Sequence, residues 1–294
     1  MRFGIVILPE HRWCDAAPLW RRAEGLGFDH AWTYDHLTWS GLPDSPWFGT
    51  VSTMTAAAMV TERIRLGTYV SSPNYRHPVT FSRDLLALDD ISQGRLTAGL
   101  GTGGDLDSRI LGGAVLTRRQ RADRFEEFVT LLDRLLTSDH VDYQGTYFGA
   151  VDARTLPGPL QQPRIPFVVA ANGPRSMRLA ARFGSGWVTT GRPGAEPEQW
   201  WAAVREAGLR MDQTLDEAGR PRDELDRYLS IDASGVFALS SVAGFEEAAL
   251  RAAELGFTDV VCHWPRPEGP YAGDPAVLEQ VATEVLPRLR KERP

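Results

Sequence analysis

A histidine directly after a short apolar run is suited to proton transfer, because imidazole exchanges a proton near neutral pH. His36, closing Thr33-Tyr34-Asp35-His36, stands in that position. The alternative is a histidine that only caps the end of a strand. Glu10 follows the first apolar run and is a second proton-transfer candidate if buried, or a salt-bridge partner if exposed. Two glycine-rich turns offer different chemistry. Asn172-Gly173-Pro174-Arg175-Ser176 joins an apolar run to a helical pattern. Pro174 suits the first helical position and Gly173 allows close backbone approach, so free N–H groups and the helix dipole attract an anion there. Gly101-Thr102-Gly103-Gly104 is a second such turn, with a hydroxyl. Either alone reads as a tight turn; on neighbouring strands they favour a phosphate-bearing cofactor. Trp39 and Trp47 flank a Gly-Pro-rich loop and either cover an aromatic ligand or pack. His77, before Pro78, reads as structural.

The elements that must position these residues follow from periodicity. Apolar runs at Phe3–Leu8, His30–Tyr34, Ile64–Val70, Leu96–Leu100, Phe167–Ala171, Trp187–Thr190, Ser230–Leu239 and Asp259–Trp264 are continuous rather than alternating. That suits parallel strands buried on both faces, and helical patterns separate them. Eight such units predict an α/β fold, a (β/α)8 TIM barrel, as one domain over residues 1–294. Thr117 with Gln120 forms a capping-box signature, and Asp274-Pro275 opens a last helix to about Leu289. Gly27, Gly256 and, more loosely, Gly184 are expected to end helices in a left-handed turn. Two insertions, at about 104–116 after strand four and 138–166 before strand five, exceed an idle connector and are candidates for lid or partner contacts. The second reads as a β-hairpin followed by an extended segment. In such a barrel the site gathers at the carboxyl ends of the strands. There stand Glu10, Asp35-His36, Tyr69-Val70-Ser71, the turn from Gly101 to Gly104, and Ala171-Asn172.

Composition narrows the chemistry. The 294 residues are 43% hydrophobic and 24% charged, as in ordinary globular proteins, and the net charge of −6 argues against a nucleic-acid partner. Lys291 is the only lysine. Schiff-base aldolases, pyridoxal-phosphate enzymes, kinases and Walker-type ATPases need an amine inside the fold and are therefore excluded. The six histidines show no metal-binding spacing, so no metal site is expected. Cys14 and Cys262 read as isolated thiols. The first apolar run is too short for a membrane span and lacks a cleavage site, which gives the expectation of a cytoplasmic protein without a membrane partner.

Leu66 to Pro78, then Leu88-Asp89-Asp90-Ile91-Ser92-Gln93-Gly94-Arg95-Leu96, then Gly99-Leu100-Gly101-Thr102-Gly103, and finally Ala170 to Ser176 running on to Gly186-Trp187, resemble the bacterial luciferase-like oxidoreductases. The resemblance implies a (β/α)8 barrel using the deazaflavin coenzyme F420 or reduced FMN at the carboxyl ends of the strands. In the deazaflavin branch an Asp-His pair after strand two lies by the ring, which Asp35-His36 matches, with a Trp beyond, here Trp39 at changed spacing. Glu10 falls where the branch's sugar-phosphate dehydrogenase has a proton-transferring Glu. Family members often carry a non-proline cis bond at the end of strand three, where Tyr69-Val70 sits. The turns at Thr102-Gly103 and Asn172-Gly173 match segments on the phosphate side of the cofactor.

Two departures stand out. Gly104 occupies the place of a second catalytic Glu, with Asp105 nearby, and the lysines that grip a substrate phosphate are absent. The resulting expectation is F420-dependent hydride transfer to or from a small organic substrate, with His36 and Glu10 handling the proton, in a homodimer. The alternatives are an FMN-dependent monooxygenase served by a flavin reductase, a non-catalytic flavin-binding protein, and a phosphosugar barrel enzyme without flavin.

Overall fold

The computed structural model describes residues 1–291. The first half of the chain forms β1 (Arg2–Val6), α1 (Trp13–Gly25), β2 (His30–Thr33), α2 (Thr50–Val60), β3 (Arg65–Thr68), α3 (Pro78–Ile91), β4 (Leu96–Leu100), α4 (Leu106–Ile110) and α5 (Arg118–Thr137). A hairpin, β5 (Val141–Gln144) and β6 (Gly149–Ala153), precedes β7 (Phe167–Ala170), α6 (Pro174–Phe183), β8 (Gly186–Thr189) and α7 (Pro197–Glu217). The chain continues through β9 (Asp226–Ser230), α8 (Val242–Glu254), β10 (Asp259–His263) and α9 (Pro275–Gln280), then a π turn and α10 (Leu286–Lys291). Eight parallel strands close in the order β1-β10-β9-β8-β7-β4-β3-β2, so the expected barrel is present.

Strand alternation sorts side chains into two layers. Phe3 and Ile5 of β1 face the helices, whereas Val6 joins Trp32, Val168, Val188, Tyr228 and Val261 inside the barrel. Trp32 fits because Gly67 lies beside it; a Cβ there would stand 2.2 Å from the indole. Below Trp32 a polar cluster closes the amino-terminal end. The indole N–H donates to His30 Nδ1 at 2.6 Å, His30 Nε2 lies 2.9 Å from Asp259, and Arg2 donates to both Asp259 oxygens at 2.8 and 2.6 Å. The opposite end is left for a cavity.

Three expectations need correction. The seventh strand is Asp226–Ser230, not Ser230–Leu239. Its start is charged because Asp226 and Arg227 pair with Arg2 and Asp212, which hides it from an apolar scan. The apolar stretch after it, broken by Gly235 at φ 85°, forms two 3-10 turns, Ile231–Ser234 and Ala238–Ser240. Gly27 and Gly256 do adopt left-handed φ values of 81° and 80°, but Gly184, at φ −76°, does not. The hairpin is no lid, since it lies outside the barrel against α3 and α5, where Leu131, Leu135, Val141 and Ala150 form a separate cluster. The capping box of Thr117 and Gln120 and the Asp274 cap are present as expected.

The hairpin tip is held by one carboxylate. Glu127 on α5 accepts from the backbone N–H groups of Thr146, Tyr147 and Phe148 at 2.7–3.1 Å. Charge-assisted bonds of this kind contribute about 2 kcal/mol, so Glu127→Ala is expected to release the tip while leaving the barrel folded. Hydrogen exchange should then lose protection at 146–148 only; unchanged protection there would show that the tip is held by its apolar contacts.

Candidate functional site

A cavity of about 740 Å³ opens at the carboxyl ends of the strands. Strand β2 sets its character. Beyond Thr33, alternation turns Tyr34 and His36 to the cavity and drives Asp35 the other way, into a fully buried position. Asp35 accepts from Arg76 Nη2 at 2.6 Å and Nε at 3.1 Å, and from the Tyr75 hydroxyl. Burial alone would raise its pKa, but the hydrogen bonds and charge of Arg76, with help from Tyr75, hold it below the usual carboxylate value. Asp35 thus fastens the segment after β3 to the segment after β2 and does not line the cavity.

His36 Nδ1 lies 2.7 Å from Asp107 Oδ2, and the other oxygen of Asp107 accepts from the Leu37 N–H at 2.7 Å. Asp107 sits on α4, in the first insertion, and is buried. The Trp47 indole donates to the His36 carbonyl at 3.0 Å, so the loop tryptophan holds the histidine from behind. The Nδ1 edge of the ring is therefore engaged by Asp107, and His36 borders the cavity.

The glycine turns lie where expected. Thr102, Gly103 and Gly104 line one side; Ala171, Asn172, Gly173 and Ser176 line another. Gly103 has φ 66° and a Cβ there would stand 2.2 Å from Asn74 Nδ2, so its backbone is fixed by packing. At Gly104 and Gly173 a Cβ would meet nothing within 4 Å, so any side chain there would project into open space. Gly173 caps α6 without a side-chain hydrogen bond, leaving first-turn N–H groups free beside the cavity. Tyr69 and Val70, joined by a cis peptide bond, form part of the wall.

Several expected residues are not brought to the cavity. Ser71 and Gly101 continue the ladder between β3 and β4, with Gly101 N donating to Ser71 O at 2.9 Å. Pro174 occupies the first helical position of α6. Arg175 turns away to Asp123 and Glu126 at 2.6 and 2.7 Å. Glu10 is also elsewhere. Both its oxygens accept from Arg266, at 2.7 and 2.8 Å, and Arg266 in turn donates to the carbonyls of Glu268 and Pro270. Glu10 therefore pins the loop that carries Tyr271 to the cavity, with both carboxylate oxygens engaged by Arg266.

A second group of residues escaped the sequence reading. His263, at the end of β10, has Nδ1 2.8 Å from Asp232 Oδ2 and Nε2 2.8 Å from the Tyr34 hydroxyl. Its ring stacks on Tyr271 at 3.7 Å and 3°. Trp39 lies parallel to Tyr271, with ring centroids 6.0 Å apart, and stands edge-on to Tyr34. Burial first, then the Tyr271 hydroxyl, raises the Tyr34 pKa well above the ordinary range. His263 ends an apolar strand and so had the same signal as His36; Asp107 and Asp232 had none, because their partners are distant in sequence. The described lining residues include no Asp, Glu, Arg or Lys.

The profile of the luciferase-like monooxygenase family matches residues 1–235. An F420-dependent glucose-6-phosphate dehydrogenase of Beutenbergia cavernae is 31% identical over 318 residues, covering 91% of each chain. Another, of Microbacterium testaceum, is 33% identical over 219 residues, 72% of this chain, which spans only 61% of that protein's length. Among solved structures, the coenzyme F420-dependent tetrahydromethanopterin reductase from Methanopyrus kandleri superposes over 98% of this chain with a TM-score of 0.77 at 21% identity, a likeness of fold.

The Asp35–Arg76 pair predicts a pH signature. Since the folded-state pKa of Asp35 is depressed, its stabilisation is present above the unfolded value and is lost as pH falls through the folded one. Asp35→Asn is expected to lose about 3 kcal/mol at neutral pH by leaving Arg76 with only the longer, 3.8 Å contact to Asp84. That deficit should shrink below about pH 4. Urea unfolding at neutral and acid pH checks this; a pH-independent deficit would remove the ionised pair as its cause.

Proposed function

The chain belongs to the luciferase-like monooxygenase family, and on that premise we propose that it is an F420-dependent oxidoreductase moving a hydride to or from a small, uncharged organic substrate. The observation that carries this reading is His36, oriented by Asp107 at the edge of a cavity that two glycine turns border. The relatives named as F420-dependent dehydrogenases support the cofactor.

The residues present fit such a group. The cavity volume lies in the range that holds a cofactor ring with a small substrate. Gly104 and Gly173 leave the space a side chain would fill, and the free first turn of α6 suits a phosphate. When bound, the deazaflavin supplies a carbon centre that accepts or donates a hydride. The protein supplies the rest. Asp107 engages His36 at Nδ1, leaving Nε2 to exchange a proton at the cavity. Trp39, Tyr69 and Val70 exclude water from the same space. Glu10 is assigned no proton transfer, and the carboxylate contributed by the first insertion is Asp107 rather than Asp105. Absence of Arg and Lys from the described lining argues against a phosphorylated substrate, whose charge would be desolvated without a partner.

A cytoplasmic homodimer acting on small molecules is part of the same reading. Among the described residues no helix is long and apolar enough to cross a membrane. The family's name favours one alternative, an FMN-dependent monooxygenase, which would need reduced flavin from a reductase partner.

Titration of the purified protein with F420 and FMN, each oxidised and reduced, separates the readings. F420 is expected to bind the more tightly; a preference for reduced FMN would select the monooxygenase, and binding of neither would defeat the flavin reading. His36→Ala should keep F420 affinity within a few-fold yet lower turnover at least about 100-fold, and Asp107→Asn should lower it about tenfold. Glucose 6-phosphate should not be turned over; rapid turnover would refute the uncharged-substrate assignment.

A further inference from the structure

The cavity holds a second histidine–carboxylate pair besides His36–Asp107, and one side chain stands between them. Tyr34 meets the His36 ring edge-on at 6.1 Å and the His263 ring edge-on at 5.6 Å, but its hydroxyl is bonded only on the His263 side, at 2.8 Å to Nε2 and 3.3 Å to the Tyr271 hydroxyl. His263 is pinned from behind twice by one oxygen of Asp232, at 2.7 Å to its N–H and 2.8 Å to Nδ1. Asp232 in turn is placed by the Ala238 N–H, which donates to its other oxygen at 2.8 Å. With Nδ1–H donated to Asp232, Nε2 can only accept, so the Tyr34 hydroxyl donates to it and offers its lone pairs elsewhere.

We infer that Asp232, His263 and Tyr34 form a proton relay whose outer atom, Tyr34 Oη, takes the hydroxyl proton of an alcohol substrate and returns it to the carbonyl in the reverse direction. The inference rests on the oxidoreductase reading above and narrows its substrate to the alcohol–carbonyl pair. In the oxidative direction the C–H electron pair leaves as hydride to the oxidised deazaflavin. The O–H electron pair becomes the second bond of the carbonyl. The substrate's proton passes to Tyr34 Oη as Tyr34's own proton passes to His263 Nε2, and the imidazolium so formed is stabilised by Asp232. Burial, followed by the Tyr271 hydroxyl, keeps Tyr34 protonated, so it passes charge on rather than holding it. The titratable neighbours are Asp232, Tyr34 and Tyr271 around His263, with Tyr69 and His36 against Tyr34; Asp232 is the carboxylate in contact with the relay. His36 with Asp107 stays available for a separate proton, which suits a reaction in which substrate and cofactor each change protonation.

The relay can be tested without cofactor or natural substrate. 4-Nitrophenol, an acidic alcohol analogue whose phenolate is yellow, is added to cofactor-free protein at about pH 6, where the free probe is mainly protonated. Saturation is followed by quenching of tryptophan fluorescence. The bound probe is expected to carry at least about fivefold more phenolate than the free probe, and Tyr34→Phe and His263→Gln should each abolish the excess. Nitrogen-15 spectra should show His263, not His36, becoming imidazolium on binding. Asp232→Asn is unsuited as the first variant because Asp232 also anchors backbone at Ala238 and His263. Circular dichroism matching wild type confirms folding of each variant; should Tyr34→Phe misfold, His263→Gln carries the test. No excess phenolate at saturation, or an excess that survives both substitutions, overturns the relay. F420 titration of the wild-type protein is a separate readout, so failure of the cofactor reading and failure of the relay are distinguishable.

Discussion

A carboxylate taken out of water must find cations or hydrogen-bond donors, and the mouth of this barrel is arranged around that requirement. Strand β2 runs into the rim with its side chains alternating, so Tyr34 and His36 cannot face the cavity unless Asp35 faces the protein. Asp35 is then tolerable only because Arg76, delivered by the segment after β3, meets it with two nitrogens. Fixing Arg76 also places Tyr75 against Asp35, so two neighbouring loops become one unit. The cavity-facing position of His36 is in this sense a by-product of an ion pair that does not itself line the cavity.

The same economy recurs around the rim. Asp107 orients His36, Asp232 orients His263, Glu10 ties down the loop bearing Tyr271, and Arg175 is neutralised by α5. Charged groups near the cavity are spent on holding loops, while the surfaces that face a ligand are aromatic, imidazole or glycine backbone. On the proposed reading, an environment of that kind would discriminate by shape and by proton position rather than by charge.

Much of this was legible in the sequence, and the gaps have physical causes. Continuous apolar runs at Phe3, Leu96 and Phe167 betray strands buried on both sides, and the two glycine turns fall at strand ends, so the barrel and one wall of the cavity could be placed. The seventh strand could not, because its first residues are charged for ion pairs at the closed end of the barrel, and an apolar segment beside it forms turns instead. Asp107 and Asp232 were invisible because a carboxylate reveals its task only through the histidine it meets, 71 and 31 residues away along the chain. The two readings of Glu10, proton carrier or salt-bridge partner, could not be separated because position at a strand end does not say which way a side chain turns; Arg266, arriving from the far end of the chain, pairs with it.

Gly103, Gly104 and Gly173 look alike in sequence yet differ in what they permit. Gly103 is locked by its left-handed backbone and by Asn74, whereas the other two border empty space. Evolution or a protein engineer can therefore resize the chamber at Gly104 and Gly173 in single steps, leaving the packing of the strands alone. Ligand choice in this architecture is thus separable from foldability, a property that lets one scaffold diversify into many specificities.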